Sequence, residues 1–439
     1  MLKITFHNNK EKIKNYHIAK YKEAIMIELD SIITTDKTIN NFVKDLKDNI
    51  ENILVGEPKK LCEMKELLKP RYEKIKDKNI KYRTKDETLD KRLRLIFNYD
   101  NFRDNKIYIN AKNKIDGFKS DINSIKYWNL KTKIRTLEDI KEKFENVLTM
   151  IENGYNNPFY KIDDITSNYK EKNMYYKQCK KSKDNIVKDY SQYCDDIKKE
   201  LHNRRNEFWR DYDNNEEIKN KEIIKEIWGG DLFIKELGII TCPYCNRIYT
   251  NVIRGKKKNY KPALDHFYSK DKYPYLRISL FNLVPCCNIC NSTFKSNDDK
   301  DVLNPYEKGY EDDYLFKFDI LDNSKEIIKS NLEVSLELLN VKNNKYNIKN
   351  SYEMFEIESA YNSHKDIVVD MIKLREKYTI EEIDRLVEDG VFNSREEFIE
   401  KIILKGPIDK EDFNNNAFSK FKRDIAYQLG YINIVNDIN

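Results

Sequence analysis

No apolar run in this 439-residue chain approaches the roughly 18 residues that a membrane-spanning helix needs, which argues against a bilayer protein built of such helices. The opening stretch MLKITFHNNKEK lacks the continuous apolar core of a signal peptide, so a cytoplasmic location without membrane attachment is expected. Internal repeats and long low-complexity linkers are also missing, and neither a repeat array nor a long tether is expected. An excess of one charge sign is lacking too. Lys and Arg number 81 against 75 Asp and Glu, a net charge of +6, so charge alone does not establish a nucleic-acid partner. Histidine is scarce, with five residues.

What is present is charge of both signs. Charged residues make up 36% and hydrophobic ones 39%, a balance that favours helices with solvated faces over a core-rich parallel sheet. The length allows two or three domains. In TINNFVKDLKDNIENILVG, residues Ile39, Phe42, Val43, Leu46, Ile50 and Ile53 or Leu54 recur on one helical stripe, with Gly56 and Pro58 as the stop. LEDIKEKFENVLTMIENG repeats the design through Leu137, Ile140, Phe144, Val147, Leu148 and Ile151, ending at Gly154. The basic, aromatic stretch 81–102 has nucleic-acid-binding composition, yet its Leu89, Leu93, Ile96 and Phe97 fall at core spacing. Near Trp228-Gly229-Gly230 the composition changes. The β-type runs RIYTNVI and KPALDHF follow, flanking the turn RGKKKN. Helical patterns then return, with capping boxes at Thr379/Glu382 and Ser394/Glu397 and stops at Gly390 and Gly406-Pro407. The expected fold is mostly α with a small α+β insert: a helical region over 1–225, a compact module over 226–308, and a helical region over 309–439.

Five of the eight cysteines crowd into that insert. TCPYCNR supplies Cys242 and Cys245, and VPCCNICN supplies Cys287 and Cys290, each pair two residues apart. In a reducing compartment this spacing predicts metal, and four thiolates close a tetrahedral zinc site with no position left for water. Such a zinc is structural and holds together a module too short to build its own core. Cys286 with Cys290 is the competing assignment for the second pair. Cys62, Cys179 and Cys194 read as ordinary thiols.

A site closed by four sulfurs leaves His266 to be explained, in LDHFYSK directly after Asp265. Asn282 follows in LFNLVP and Asn291 directly after Cys290. Together, LDHFYSK, YPYL and SLFNLVPCCNICNSTFK resemble the HNH nucleases of the ββα-metal, treble-clef class over about residues 240–305. The last position is Asn rather than His, as in the HNH domain of the CRISPR effector nuclease. The resemblance implies an endonuclease that hydrolyses phosphodiester bonds in DNA. His266 is then the base that deprotonates water. Asp265, pointing away from its strand neighbour toward the helix, shares a catalytic magnesium or manganese ion with Asn291, and Asn282 braces the loop. Lys295, one turn past Asn291, reads as a phosphate contact or as a solvated lysine. His364, in YNSHKD, reads as a surface histidine. The flanks LGIITCPYCNRIYT, DVLNPYEKGYEDDYLFKF, ESAYNSHKDIVVD and FSKFKRDIAYQLG resemble bacterial HNH proteins of anti-phage and retron-associated systems, including the Septu-type nuclease component. These often work beside an ATPase. The long N-terminal region departs from compact nucleases, which suits partner docking or a grip on DNA. Two other readings stay open: an RNA-cleaving effector, tRNA included, and a zinc-stabilised nucleic-acid-binding module without catalysis.

Overall fold

The structure, a computed structural model, describes residues 2–6, 9–82, 85–99, 228–254, 259–295, 302–309, 313–321, 332–338 and 345–433, with Gln192, Asp195 and Lys199. The chain packs as two compact units. One comprises Met1–Asn98, Ile234–Val252 and Lys261–Asn439, the other Tyr99–Phe233 and Ile253–Tyr260. The first 98 residues share a unit with the cysteine-rich stretch. The helix expected over 137–151, Cys179 and Cys194 lie outside the described residues.

In the first unit, α1 (Lys10–Asp30) turns Ile13, His17, Tyr21, Ile25 and Leu29 inward at spacings of three to four residues. The stripe expected over 39–54 is buried, but it belongs to two helices, α2 (Lys37–Asp48) and α3 (Ile50–Val55). The break falls at Asn49, whose side-chain amide donates to the Asp45 carbonyl at 2.9 Å and offers the backbone a local alternative to helix. Asp36 caps α2 by accepting from the Thr38 and Ile39 amides. Pro58 stands at the first turn of α4 (Pro58–Ile75), where its missing N–H costs nothing. Leu61, Met64, Leu68 and Tyr72 of α4 are buried, and each large apolar side chain removed from water contributes about 1.5–3 kcal/mol. A small antiparallel sheet runs β1 (Ile32–Ile33), β2 (Asn79–Tyr82), β3 (Lys85–Thr88). It leads into α5 (Leu89–Ile96), with Leu89, Leu93 and Phe97 fully buried.

After α6 (Gly230–Leu237), β4 (Ile253–Arg254) and β5 (Asn259–Tyr260) pair in the second unit. RIYTNVI is therefore not a continuous strand: within it only a bridge from Tyr249 to Thr241 and the start of β4 have ladder pairing. Back in the first unit, β6 (Ala263–His266) pairs antiparallel with β7 (Leu283–Cys286), Asp265 opposite Val284 and His266 opposite Leu283. A π-helix, Ile289–Lys295, follows directly.

The long connection between β6 and β7 is held by the N-terminal helices. His17 meets the Ile278 carbonyl at 2.7 Å, Arg94 donates to Asp271 at 3.0 Å, and Arg277 donates to the Arg94 carbonyl at 2.9 Å. Tyr275 packs edge-on against Phe42 and Tyr72. Downstream, β8 (Tyr314–Ile320) and β9 (Leu332–Leu338) form an antiparallel pair. Among the described residues six α-helices follow: α7 (Lys345–Met354), α8 (Ile357–Asn362), α9 (Lys365–Lys377), α10 (Ile380–Glu388), α11 (Arg395–Phe398) and α12 (Ser419–Gln428). Thr379 and Ser394 cap α10 and α11 as their spacing predicts, each accepting from the amide of the glutamate three residues on. Gly390 has φ +73°, the left-handed conformation that ends a helix. Buried Asp424 on α12 accepts from the Phe316 amide at 3.0 Å and from Lys420 at 2.5 Å, which fastens α12 to β8. Helices thus predominate over small sheets, and among the described residues no helix is long and apolar enough to cross a membrane.

Candidate active site and metal centre

The sulfurs of Cys242, Cys245, Cys287 and Cys290 lie within 4.8 Å of one another, and all four residues are buried. Cys287 is the ligand-set member. Cys286, the last residue of β7, is buried elsewhere, with the Asp265 backbone as a hydrogen-bond partner. The first knuckle turns tightly. The Asn246 amide donates to the Cys242 carbonyl at 2.7 Å, and Asn246 itself sits at φ +49°, a conformation that asparagine tolerates better than most residues. Its side-chain amide donates to Thr241 Oγ1 and to the carbonyls of Phe413 and Asn416. The Tyr361 hydroxyl donates to the Cys245 carbonyl at 2.7 Å. In the second knuckle the Cys290 amide donates to Cys287 Sγ at 3.4 Å.

The thiol chemistry fits a soft-tolerant dication. Burial pushes the Cys242 thiol up, and hydrogen bonding within the cluster pushes Cys290 up while pulling Cys245 and Cys287 down. Four neighbouring thiols in low dielectric cannot all ionise against one another, and a bound cation removes that conflict. The four sulfurs could hold zinc, at the ~2.3 Å bond length and tetrahedral geometry it takes with thiolates.

Successive residues on β6 point to opposite sides. His266 is 9% exposed, and its Nε2 lies 2.9 Å from the Arg277 carbonyl. A carbonyl oxygen only accepts, so Nε2 carries the proton and the lone pair belongs to Nδ1. Burial pulls the imidazole down to about 3, so it is neutral at physiological pH. Asn282, fully buried, accepts from the Tyr268 amide at 2.6 Å and donates to the carbonyls of Tyr268 (3.1 Å) and Leu276 (2.9 Å). It thereby draws together the loop whose next residue, Arg277, holds the histidine. The Tyr306 hydroxyl donates to the Leu283 carbonyl opposite His266.

Asp265, 4% exposed, faces the other way. Its Oδ2 accepts from the Tyr244 hydroxyl at 2.6 Å, and Lys295 Nζ lies 3.0 Å from each carboxylate oxygen. Lys295 also donates to the His266 carbonyl at 2.8 Å. The expectations of a solvated or phosphate-contacting Lys295 therefore need correction. Lys295 is 5% exposed and its ammonium is committed to internal acceptors, because a buried cation is stable only when paired and hydrogen-bonded. Asn291 is half-buried on the same helix, its amide donating to Ser292 Oγ. This arrangement does not fit a ready magnesium site shared by Asp265 and Asn291, since the carboxylate already holds a cation.

Tyr244 was not expected from the sequence. It stacks on Phe355 at 4.4 Å, and burial pushes its phenol well up, which keeps it a donor to Asp265. Its position between Cys242 and Cys245 was the only available signal. His364, half-buried, accepts from Arg247 and packs on Phe418. Comparison of the chain with protein-family models, with curated proteins and with solved structures finds no match in any of the three.

Proposed function

We propose that this chain is an HNH-type endonuclease that hydrolyses phosphodiester bonds in DNA, acting as an effector of anti-phage defence or restriction. The observation that carries the reading is the placement of His266. Its imidazole is held through Nε2 by the Arg277 carbonyl and stands at the end of a strand next to a buried carboxylate. Nδ1 takes the proton of an attacking water, Nε2 stays anchored, and the loop gathered by Asn282 keeps the ring oriented while charge moves. The HNH resemblance would add a hard cation, magnesium or manganese, on Asp265 and Asn291, but Asp265 is held by Lys295, so no step is assigned to it. The flank resemblance supports an ATPase partner.

The full chain is incubated with supercoiled plasmid, linear duplex, single strands and RNA, with and without magnesium or manganese. Cleavage of duplex DNA by wild type is expected, reduced at least ~100-fold in His266→Ala, the usual minimum for loss of a general base, at equal zinc content. Equal cutting by the variant overturns the assignment. A non-catalytic nucleic-acid-binding module is favoured by one observation, the Lys295 ammonium on Asp265. Its signature is duplex binding with no cleavage in any arm.

A further inference from the structure

Two residues after His266 stands Tyr268, half-buried, with its main chain pinned on both sides by Asn282, which accepts from its amide at 2.6 Å and donates to its carbonyl at 3.1 Å. The Tyr268 ring packs edge-on against Phe267 and Tyr273, with centroids 5.1 and 6.0 Å away. Two amines of α4 lie over this row: Lys65 Nζ is 5.0 Å from the Tyr268 centroid and Lys69 Nζ is 5.5 Å from that of Tyr273. A spacing of four residues puts both lysines on one side of α4, about 6 Å apart along its axis. Lys69 is exposed and Lys65 partly buried. The loop adds Lys270, whose charge acts together with that of Arg277 on the His266 imidazole. Of the acids beside these cations, Glu66, 3.1 Å from Lys65, is itself 70% exposed, and Asp271 is held by Arg94 at 3.0 Å. Lysine stems thus rest on rings, which limits where each charged head can go without taking it out of water.

We propose that α4 grips the phosphate backbone of the DNA strand presented to His266, with Lys65 and Lys69 as the contacts and Tyr268 and Tyr273 as the platform that holds them. The proposal rests on the nuclease reading given above, and it gives an N-terminal helix a part in that reading. The separation of the two amines suits such a strand, in which two successive steps cover about 7 Å at ~3.4 Å each. The platform belongs to the same loop that begins at the candidate base, so a strand lying along α4 is led toward the imidazole. Contacts of this kind fix register and orientation and carry no sequence information, so the grip accepts any sequence.

The full chain is titrated with a short fluorescent DNA duplex over a range of sodium chloride concentrations, without magnesium or manganese, and binding is read by anisotropy. Two phosphate contacts contribute about 1.8 to the slope of log K against log salt, so Lys65→Gln/Lys69→Gln is expected to flatten the slope by that amount and to bind at least ~10-fold more weakly at physiological salt. Lys65→Arg/Lys69→Arg keeps both charges and is expected to retain the slope. Lys373→Gln/Lys377→Gln removes the same charge at the same spacing from exposed positions of α9 and is expected to bind as wild type does. If the Lys65/Lys69 glutamine variant keeps the wild-type slope and affinity, or the α9 variant loses as much, the grip falls, while cleavage by wild type keeps the nuclease reading. The expected loss of slope together with no cleavage by wild type keeps the grip and overturns the nuclease reading. A loss confined to RNA of the same sequence overturns the choice of DNA, and a wild type that binds no duplex overturns the grip.

Discussion

Asn282 shows how much one buried amide can be asked to do. It makes three hydrogen bonds to the backbone of residues 268–276 at zero exposure, so Asn282→Ala leaves several buried groups without partners. A loss of about 2–4 kcal/mol is expected, given about 1–3 kcal/mol per unsatisfied group with partial relaxation. A denaturant titration checks it, and a shift under about 0.5 kcal/mol, the range of an ordinary surface substitution, would mean that the loop is braced by other contacts. The HNH-like motif pointed to Asn282, yet its targets, Tyr268 and Leu276, depend on a loop path that no local pattern encodes. The setting of Lys295 could not be read from helix spacing, because its acceptors, Asp265 and the His266 carbonyl, lie on β6. Tyr244 was invisible because Phe355, far along the chain, decides where its ring goes.

At the level of elements, the paired knuckles combine two jobs. The same turn that supplies Cys242 and Cys245 aims Tyr244 at Asp265, so the sulfur cluster and the carboxylate are mechanically joined. Cys242→Ser is expected to lose one equivalent of zinc by atomic absorption and to lower the melting temperature clearly, since a structural zinc site contributes its binding energy to folding, ~10–16 kcal/mol in zinc-finger peptides. Normal zinc content in the variant would contradict the assignment. Spacing alone made this cluster legible, down to the choice of Cys287 over Cys286. Helices were legible wherever caps and stripes agreed, as at Thr379 and Ser394. They were less so at Asn49, where a side-chain bond to Asp45 breaks one expected helix into two. Strands were the poorest guide. With two to four residues each around the knuckle, they are too short for alternation to declare itself.

For the molecule as a whole, the N-terminal helices are part of the architecture that holds the β6–β7 connection, which composition could not reveal because their inward faces look like any helical core. His17 makes this measurable. Fully buried with its Nε2 on the Ile278 carbonyl, it is pulled by burial from 6.5 down to about 3. The unfolded chain therefore takes up a proton near 6.5 that the folded chain refuses until about 3. Stability from this group is complete above about 6.5 and is lost as pH falls toward 3, by ~2 kcal/mol between pH 7 and pH 5. Denaturant titrations at the two pH values should show that loss, reduced by most of this amount in His17→Gln, whose amide can still donate to Ile278. An unchanged pH dependence in the variant would show that the acid sensitivity arises elsewhere.

The turn around Cys242 and Cys245 is enclosed by partners from both extremes of the described sequence. Leu2 donates to the Pro243 carbonyl, Ile240 and Thr241 donate to that of Asn414, and Phe418 donates to that of Asn246. During synthesis Cys242 and Cys245 therefore emerge well before residues 414–418, and their turn is not fully enclosed until that later segment has left the ribosome. Truncation just after Cys290 would yield a chain with all four cysteines present and without the Asn414 and Phe418 contacts that enclose the first pair.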